Sequence, residues 1–164
     1  TLIPEKCRPL DEVISSIHGA DIIVMGPGSL YTSVIPNLLV PGVIDAIKKS
    51  NAKKVYIPNV MTQPGETEGY NVLDHVEALI KHTEPGLIDC IIANDEKIPE
   101  SVSKRYKEDG STQVLLDNEQ RLKLKCMGIR TIESNLIEVK NAYIRHNANE
   151  ISSIIVKLAL GHDI

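Results

Sequence analysis

Two polar stretches gather the side chains able to handle a small ligand. The first is Gly26-Pro27-Gly28-Ser29-Leu30-Tyr31-Thr32-Ser33. The second is Asn59-Val60-Met61-Thr62-Gln63-Pro64-Gly65-Glu66-Thr67-Glu68-Gly69. In the first, Pro followed by Gly has type II turn chemistry, with Gly28 supplying positive φ. Its glycines admit close backbone approach, Ser29, Thr32 and Ser33 add hydroxyls, and a helix starting there would aim unpaired N–H groups at an anion. The same residues also describe a tight strand-to-helix turn with a Ser/Thr cap. The pattern is neither a Walker loop nor GxGxxG, so both readings stand.

In the second stretch, Gln63-Pro64-Gly65-Glu66 repeats the turn chemistry. Its amides, hydroxyls and carboxylate suit hydrogen-bond readout of a sugar or base better than acid–base catalysis. The alternative is a solvated surface loop. Arg145-His146 is a third candidate, either pairing bidentately with phosphate or forming a surface ion pair.

Other chemistries find little support. Cys7, Cys90 and Cys126 are odd in number and lack CxxC spacing, so neither a disulfide framework nor a thiolate metal site is expected. His75, flanked by Asp74 and Glu77, reads as part of an exposed helix face. His82 and His162 have no ligand partners at metal spacing. No nucleophile elbow or assignable triad is present. We therefore expect no catalytic residue, no metal and no cofactor. The net charge is -4, the lysines and arginines are scattered, and aromatics are only 3%, which argues against nucleic-acid binding. No apolar run has membrane-spanning length and no signal-peptide pattern is seen, so the expected location is cytoplasmic. From the abrupt start, Thr1-Leu2-Ile3-Pro4, a piece of a longer chain is expected.

The elements that must position the two loops follow from periodicity. Phe and Trp are absent, so Ile, Leu, Val and Ala must build the core, which favours helices on a parallel sheet. Pro9 opens a helix with Leu10, Val13, Ile14 and Ile17 on one face, closed by Gly19. Ile22 to Met25 is a short buried strand ending at the first loop. A helical stripe over 32–39 is interrupted at Pro36, and Pro41-Gly42 restarts a helix. The strand over 54–58 runs into the second loop, and a helix over 71–82 follows with Asn71 as N-cap. Further strands are expected at 87–92 and 113–116, with helices over 99–108 and 118–125. Segments 136–139 and 142–145 read as an extra strand and a strand end. A last helix starts at Asn147, with Glu150 in capping-box spacing. The alternation predicts an α/β, Rossmann-like, three-layer fold with a mostly parallel sheet. Both loops then lie at carboxyl ends of strands, where such sheets collect ligands.

Residues Ala20 to Val40, centred on Met25-Gly26-Pro27-Gly28-Ser29-Leu30-Tyr31-Thr32-Ser33, closely resemble a signature of the YvcK-like gluconeogenesis-factor family, within the CofD-like superfamily. Asn59 to Thr67, with Gly69-Tyr70 and Asp74-His75, resembles its second signature, and Arg145-His146-Asn147 fits its end. The resemblance spans essentially the whole chain. It implies a bacterial cytoplasmic regulator, needed for growth on gluconeogenic carbon sources and for cell-wall and cell-shape homeostasis, that binds UDP-sugars, notably UDP-N-acetylglucosamine. Carried over by position, Gly26, Gly28, Ser29, Tyr31, Thr32, Ser33 and Asn37 would line the site. Asn59, Thr62, Gln63, Gly65, Glu66 and Thr67 would face them, and Arg145 would approach the nucleotide. The implied roles put the first loop on phosphate and the second on sugar or base.

The family's amino-terminal GGTG-type loop is not in these residues. The chain is thus expected to be the carboxy-terminal half of one CofD-like domain, with weak ligand affinity by itself. Residues 100 to 130 are the candidate contact for a homodimer. The rival reading is the superfamily's other branch, metal-assisted phospholactyl transfer to a deazaflavin precursor. Its loop has a Gly-Pro-Ser-Asn-Pro pattern, whereas this chain has Gly26-Pro27-Gly28-Ser29-Leu30-Tyr31. A non-catalytic scaffold is the third reading.

Overall fold

In a computed structural model, which describes residues 7–140 and 143–162, the chain forms a four-stranded parallel sheet between two helical layers. The expected residues at the amino terminus and Ala142 lie outside the described residues. The strands are β1 (Ile22–Met25), β2 (Lys53–Tyr56), β3 (Cys90–Asn94) and β4 (Arg130–Ser134). They pair side by side in chain order, with Val24 against Val55 and Ile91 against Thr131. Helices α1 (Asp11–Gly19), α2 (Ile35–Leu38), α3 (Val43–Lys49), α4 (Val72–His82), α5 (Glu100–Glu108) and α6 (Asn118–Cys126) surround the crossovers, and α7 (Ala148–Ala159) closes the chain.

Side-chain alternation along the strands splits the core in two. Met25, Tyr56, Ile91 and Ala93 face a cluster with Ile47 of α3, Val76 and Leu79 of α4 and Leu124 of α6. Val55, Cys90, Ile92 and Ile132 face the opposite way, against Ile151, Ile154 and Leu158 of α7. Each fully buried Ile or Leu contributes about 1.5–3 kcal/mol relative to exposure, so both faces matter to stability. The three-layer expectation holds.

Four local expectations are corrected. Segment 113–116 is not a strand of the sheet: Gln113 makes one antiparallel bridge to Met61, and Val114 N–H donates to Val60 C=O at 3.0 Å. The fourth sheet strand is instead Arg130–Ser134, whose only buried residue is Ile132. An edge strand with one inward apolar residue leaves almost no hydrophobic run to read. Second, the segments expected as an extra strand and a strand end pair with each other, Ile137–Lys140 and Tyr143–His146 forming a separate antiparallel pair, β5 and β6. Third, the apolar stripe of α1 meets the core through partly buried Ile17, while Val13 is 39% exposed. No residue of that helix is fully buried, and Leu10 before it is 71% exposed.

Fourth, Pro36 does not interrupt its helix. The chain enters through a widened turn over Leu30–Val34, in which Ser29 C=O accepts from both Ser33 and Val34 N–H. The extra residue in that turn carries the proline ring past the preceding carbonyls, so Pro36 sits in the first turn of α2.

Among the described residues no single helix is long and apolar enough to cross a membrane. The pair Leu30–Leu38 and Val43–Lys49 meets the length and composition only together, bent by 72°. Its Leu30, Ile35, Leu38 and Ile47 belong to the core.

Candidate functional site

Adjacent parallel strands β1 and β2 deliver the two loops to one end of the sheet. The approach is close: Gly26 has φ +84°, and a Cβ there would lie 2.5 Å from the Ile57 carbonyl oxygen. Positive φ therefore falls at Gly26 and not at Gly28, contrary to the type II turn expected at Pro27-Gly28. The reason is steric, because β1 must leave the sheet across the backbone of β2. The Gly26–Pro27 peptide is cis. At the second loop the expected turn is present, with Gly65 at φ +78° and Glu66 N–H donating to Gln63 C=O at 3.1 Å.

The second loop is held from below. Thr67, fully buried, accepts from Gln63 N–H at 2.9 Å through its hydroxyl. Thr62, 2% exposed, exchanges hydrogen bonds with Thr112, its N–H reaching the Thr112 carbonyl and its hydroxyl accepting from Thr112 N–H, each at 2.8 Å. These two threonines are buried and brace the loop from within. Asn59 also works within the loop, its amide donating to Gln63 Oε1 at 3.1 Å.

What the loops present together is a cleft of about 500 Å³ lined by Ser29, Tyr31, Thr32, Gln63, Pro64, Gly65 and Glu66. Ser29 Oγ donates to Glu66 Oε1 at 2.6 Å and Oε2 at 2.7 Å. Ser29 also caps the helical turn, accepting from Thr32 N–H at 3.2 Å, and its hydroxyl bonds that of Thr32. The Tyr31 and Tyr70 hydroxyls share a hydrogen bond of 2.9 Å. That bond, then partial burial, pushes the Tyr31 phenol up to about 12, so it stays protonated at neutral pH. Beyond Tyr31 a smaller depression of about 260 Å³ is lined by Tyr70, Asp74, Glu77, Lys81 and His82. Tyr70 is the site residue that residue-type reasoning missed; its signal was a tyrosine in the second signature of a chain with only five.

The remaining candidates lie elsewhere. Gly26, Gly28, Ser33 and Asn37 line a separate cavity of about 360 Å³, with Ile23, Met25 and Leu38. Asn37 donates to the Ser33 carbonyl at 2.6 Å. Arg145, exposed on β6, pairs across the hairpin with Glu138 and lines a depression with Lys140 and Tyr143. Strand alternation turns its neighbour His146 inward, where the Pro58 backbone holds the imidazole at the end of β2. Burial pushes the His146 pKa down.

His75 overturns its sequence reading. It is fully buried on α4, not on an exposed face. Its Nδ1 lies 2.7 Å from the Asn71 carbonyl, its ring meets Tyr70 edge-on at 5.5 Å, and burial pushes its pKa down. With Nδ1–H donating to that carbonyl, the unpartnered Nε2 is a buried acceptor.

A parallel sheet with helices on both faces and a polar cleft beyond its strand ends defines an α/β protein of the Rossmann-like class. The family model described as "2-phospho-L-lactate transferase CofD" matches residues 1–137. The chain belongs to the CofD family. It is 46% identical over 157 residues to the "Gluconeogenesis factor" of Bacillus subtilis, covering 96% of this chain and 49% of that protein. The "Gluconeogenesis factor" of Halalkalibacterium halodurans is 45% identical over 156 residues, covering 95% and 48%. The crystal structure of protein BH3568 from Bacillus halodurans superposes with a TM-score of 0.88 at 44% identity, covering 93% of this chain and 48% of that one. The chain thus spans about half the length of the curated relatives it matches.

Proposed function

We propose that this chain supplies the carboxy-terminal part of a gluconeogenesis-factor-type regulator that binds a UDP-sugar, with UDP-N-acetylglucosamine the first ligand to try. Regulation of growth on gluconeogenic carbon and of cell shape is the role this reading carries with it. The observation supporting it most directly is the cleft formed by Ser29, Thr32, Gln63 and Glu66 from two neighbouring strand ends. Its hydroxyl, amide and carboxylate groups match a hydroxylated ligand. The name of the curated relatives, "Gluconeogenesis factor", supports the gluconeogenic part of the reading.

Thermal stabilisation of the full-length protein across a panel of UDP-sugars, UDP and uridine tests the proposal, with Glu66→Ala and Arg145→Ala alongside. Selective stabilisation by a UDP-sugar that Glu66→Ala abolishes supports it. Loss in Arg145→Ala as well brings the hairpin into the site; retention assigns the ligand to the cleft alone. No shift with any uridine nucleotide sinks the proposal.

The description of the family model favours a second reading, a phospholactate-transferase-like enzyme. Among the described residues, no three His, Cys, Asp or Glu side chains converge as a metal-holding group. Transfer to a deazaflavin precursor, followed by chromatography of the product, decides between the two.

A further inference from the structure

Counting hydrogen-bond donors in the cleft between the loops gives an unexpected polarity. Ser29 has one hydroxyl proton, and it goes to the two Glu66 oxygens at 2.6 and 2.7 Å. The serine oxygen in turn accepts from Thr32 N–H at 3.2 Å. With the serine proton engaged, the Ser29–Thr32 hydroxyl contact is donated by Thr32. The Ser29 and Thr32 hydroxyl protons are therefore used within the protein, and the Tyr31 hydroxyl is shared with Tyr70. Glu66 keeps unused acceptor capacity on its two oxygens. Gln63 accepts from Asn59 through Oε1 at 3.1 Å, which leaves its own amide protons available. Among the described residues, no lysine or arginine lines the cleft.

A phosphate placed here would meet a carboxylate, two spent hydroxyls and no cation. Like charges in a partly buried cleft oppose each other strongly. A neutral vicinal diol meets the opposite situation, because a carboxylate accepts from two hydroxyls at once, and such charge-assisted bonds are the stronger kind. The volume, about 500 Å³, falls within the roughly 300–1,000 Å³ of small-ligand sites.

We infer that the Ser29–Thr32–Glu66 cleft is a polyol subsite, reading the hydroxyls of a neutral sugar ring and rejecting phosphate. This rests on the cleft being a ligand site, as proposed above, and reverses the phosphate role expected for Ser29 and Thr32. Phosphate groups of a larger ligand must then lie away from Glu66.

The test is a series of amide chemical-shift titrations on this chain, with N-acetylglucosamine, glucose, uridine, UDP and inorganic phosphate in separate arms. The neutral sugars are expected to move the Ser29, Thr32, Gly65 and Glu66 amides saturably, whereas inorganic phosphate leaves them still. Glu66→Gln keeps the shape and removes the charge. It should weaken the sugar response by about tenfold or more and admit phosphate. Phosphate shifting these amides in the unmodified chain, or both sugars leaving them unmoved, overturns the inference without reference to the variant. Uridine and UDP moving nothing while the sugars act would instead remove the nucleotide from the proposed function and keep the polyol subsite.

Discussion

Ser29 Oγ donates to both carboxylate oxygens of Glu66, at 2.6 and 2.7 Å, across 37 positions of sequence. This contact ties the loop after β1 to the loop after β2. A double-mutant cycle of Ser29→Ala and Glu66→Gln in denaturant is expected to show coupling of ~1–2 kcal/mol, since the acceptor is charged and the pair half-buried. Additive single effects would mean that the two loops are positioned independently.

Gly26 and Gly28 sit two residues apart with different demands. Alanine at Gly26 combines φ +84° with a Cβ 2.5 Å from the Ile57 carbonyl oxygen, whereas at Gly28 it meets Ser33 Cβ at 3.3 Å and Val34 Cγ2 at 3.9 Å. Gly26→Ala should cost ~2–4 kcal/mol and Gly28→Ala under ~1 kcal/mol, measured by denaturant unfolding. Equal losses would show that the β1–β2 approach relaxes easily.

Buried His75 and half-buried His146 both have pKa values pushed down by loss of solvent, so the folded state prefers them neutral. For His75 the opposing influences are its backbone bond to Asn71 and the nearby Asp74 and Glu66 carboxylates, all weaker than burial. Unfolded histidines bind protons near pH 6.5, so the stabilisation is complete above that range and is lost as pH falls below it. Melting temperature should therefore drop between about pH 7 and pH 5, and His75→Gln should flatten that slope. An unchanged slope in the variant would remove His75 from the account.

Asn94, 4% exposed at the end of β3, accepts from Leu136 N–H at 3.1 Å and donates to Glu96 C=O at 2.7 Å. It pins the exit of the central strand to the segment leading into the hairpin. Asn94→Leu keeps the volume but strands the Leu136 amide, and should cost ~2–3 kcal/mol. Fast hydrogen exchange at Leu136 in the variant would locate the loss; full protection would argue that another acceptor takes over.

The sequence alone determined the layer order and most elements, because these depend on local periodicity and caps. The apolar runs at Ile22–Met25 and Cys90–Asn94 are strands as expected, but only the second is buried throughout; β1 is an edge strand with Met25 alone buried and Val24 38% exposed. Asn71 and Asn147 cap their helices by accepting from Asp74 and Glu150 N–H, at 3.0 and 3.1 Å. Both polar loops were legible, and so was the turn at Pro64-Gly65. What the tertiary structure decided is what each polar group faces. Thr62 and Thr67 look like Ser29 and Thr32 in sequence, yet the first pair is buried beneath the loop and the second lines the cleft. His75 is surrounded by acidic neighbours in sequence but turns its ring to the core. Arg145 is separated from its loops by one step of strand alternation. Hydrogen-bond partners dozens of residues apart are set by how the strands stack, and local composition carries no record of that.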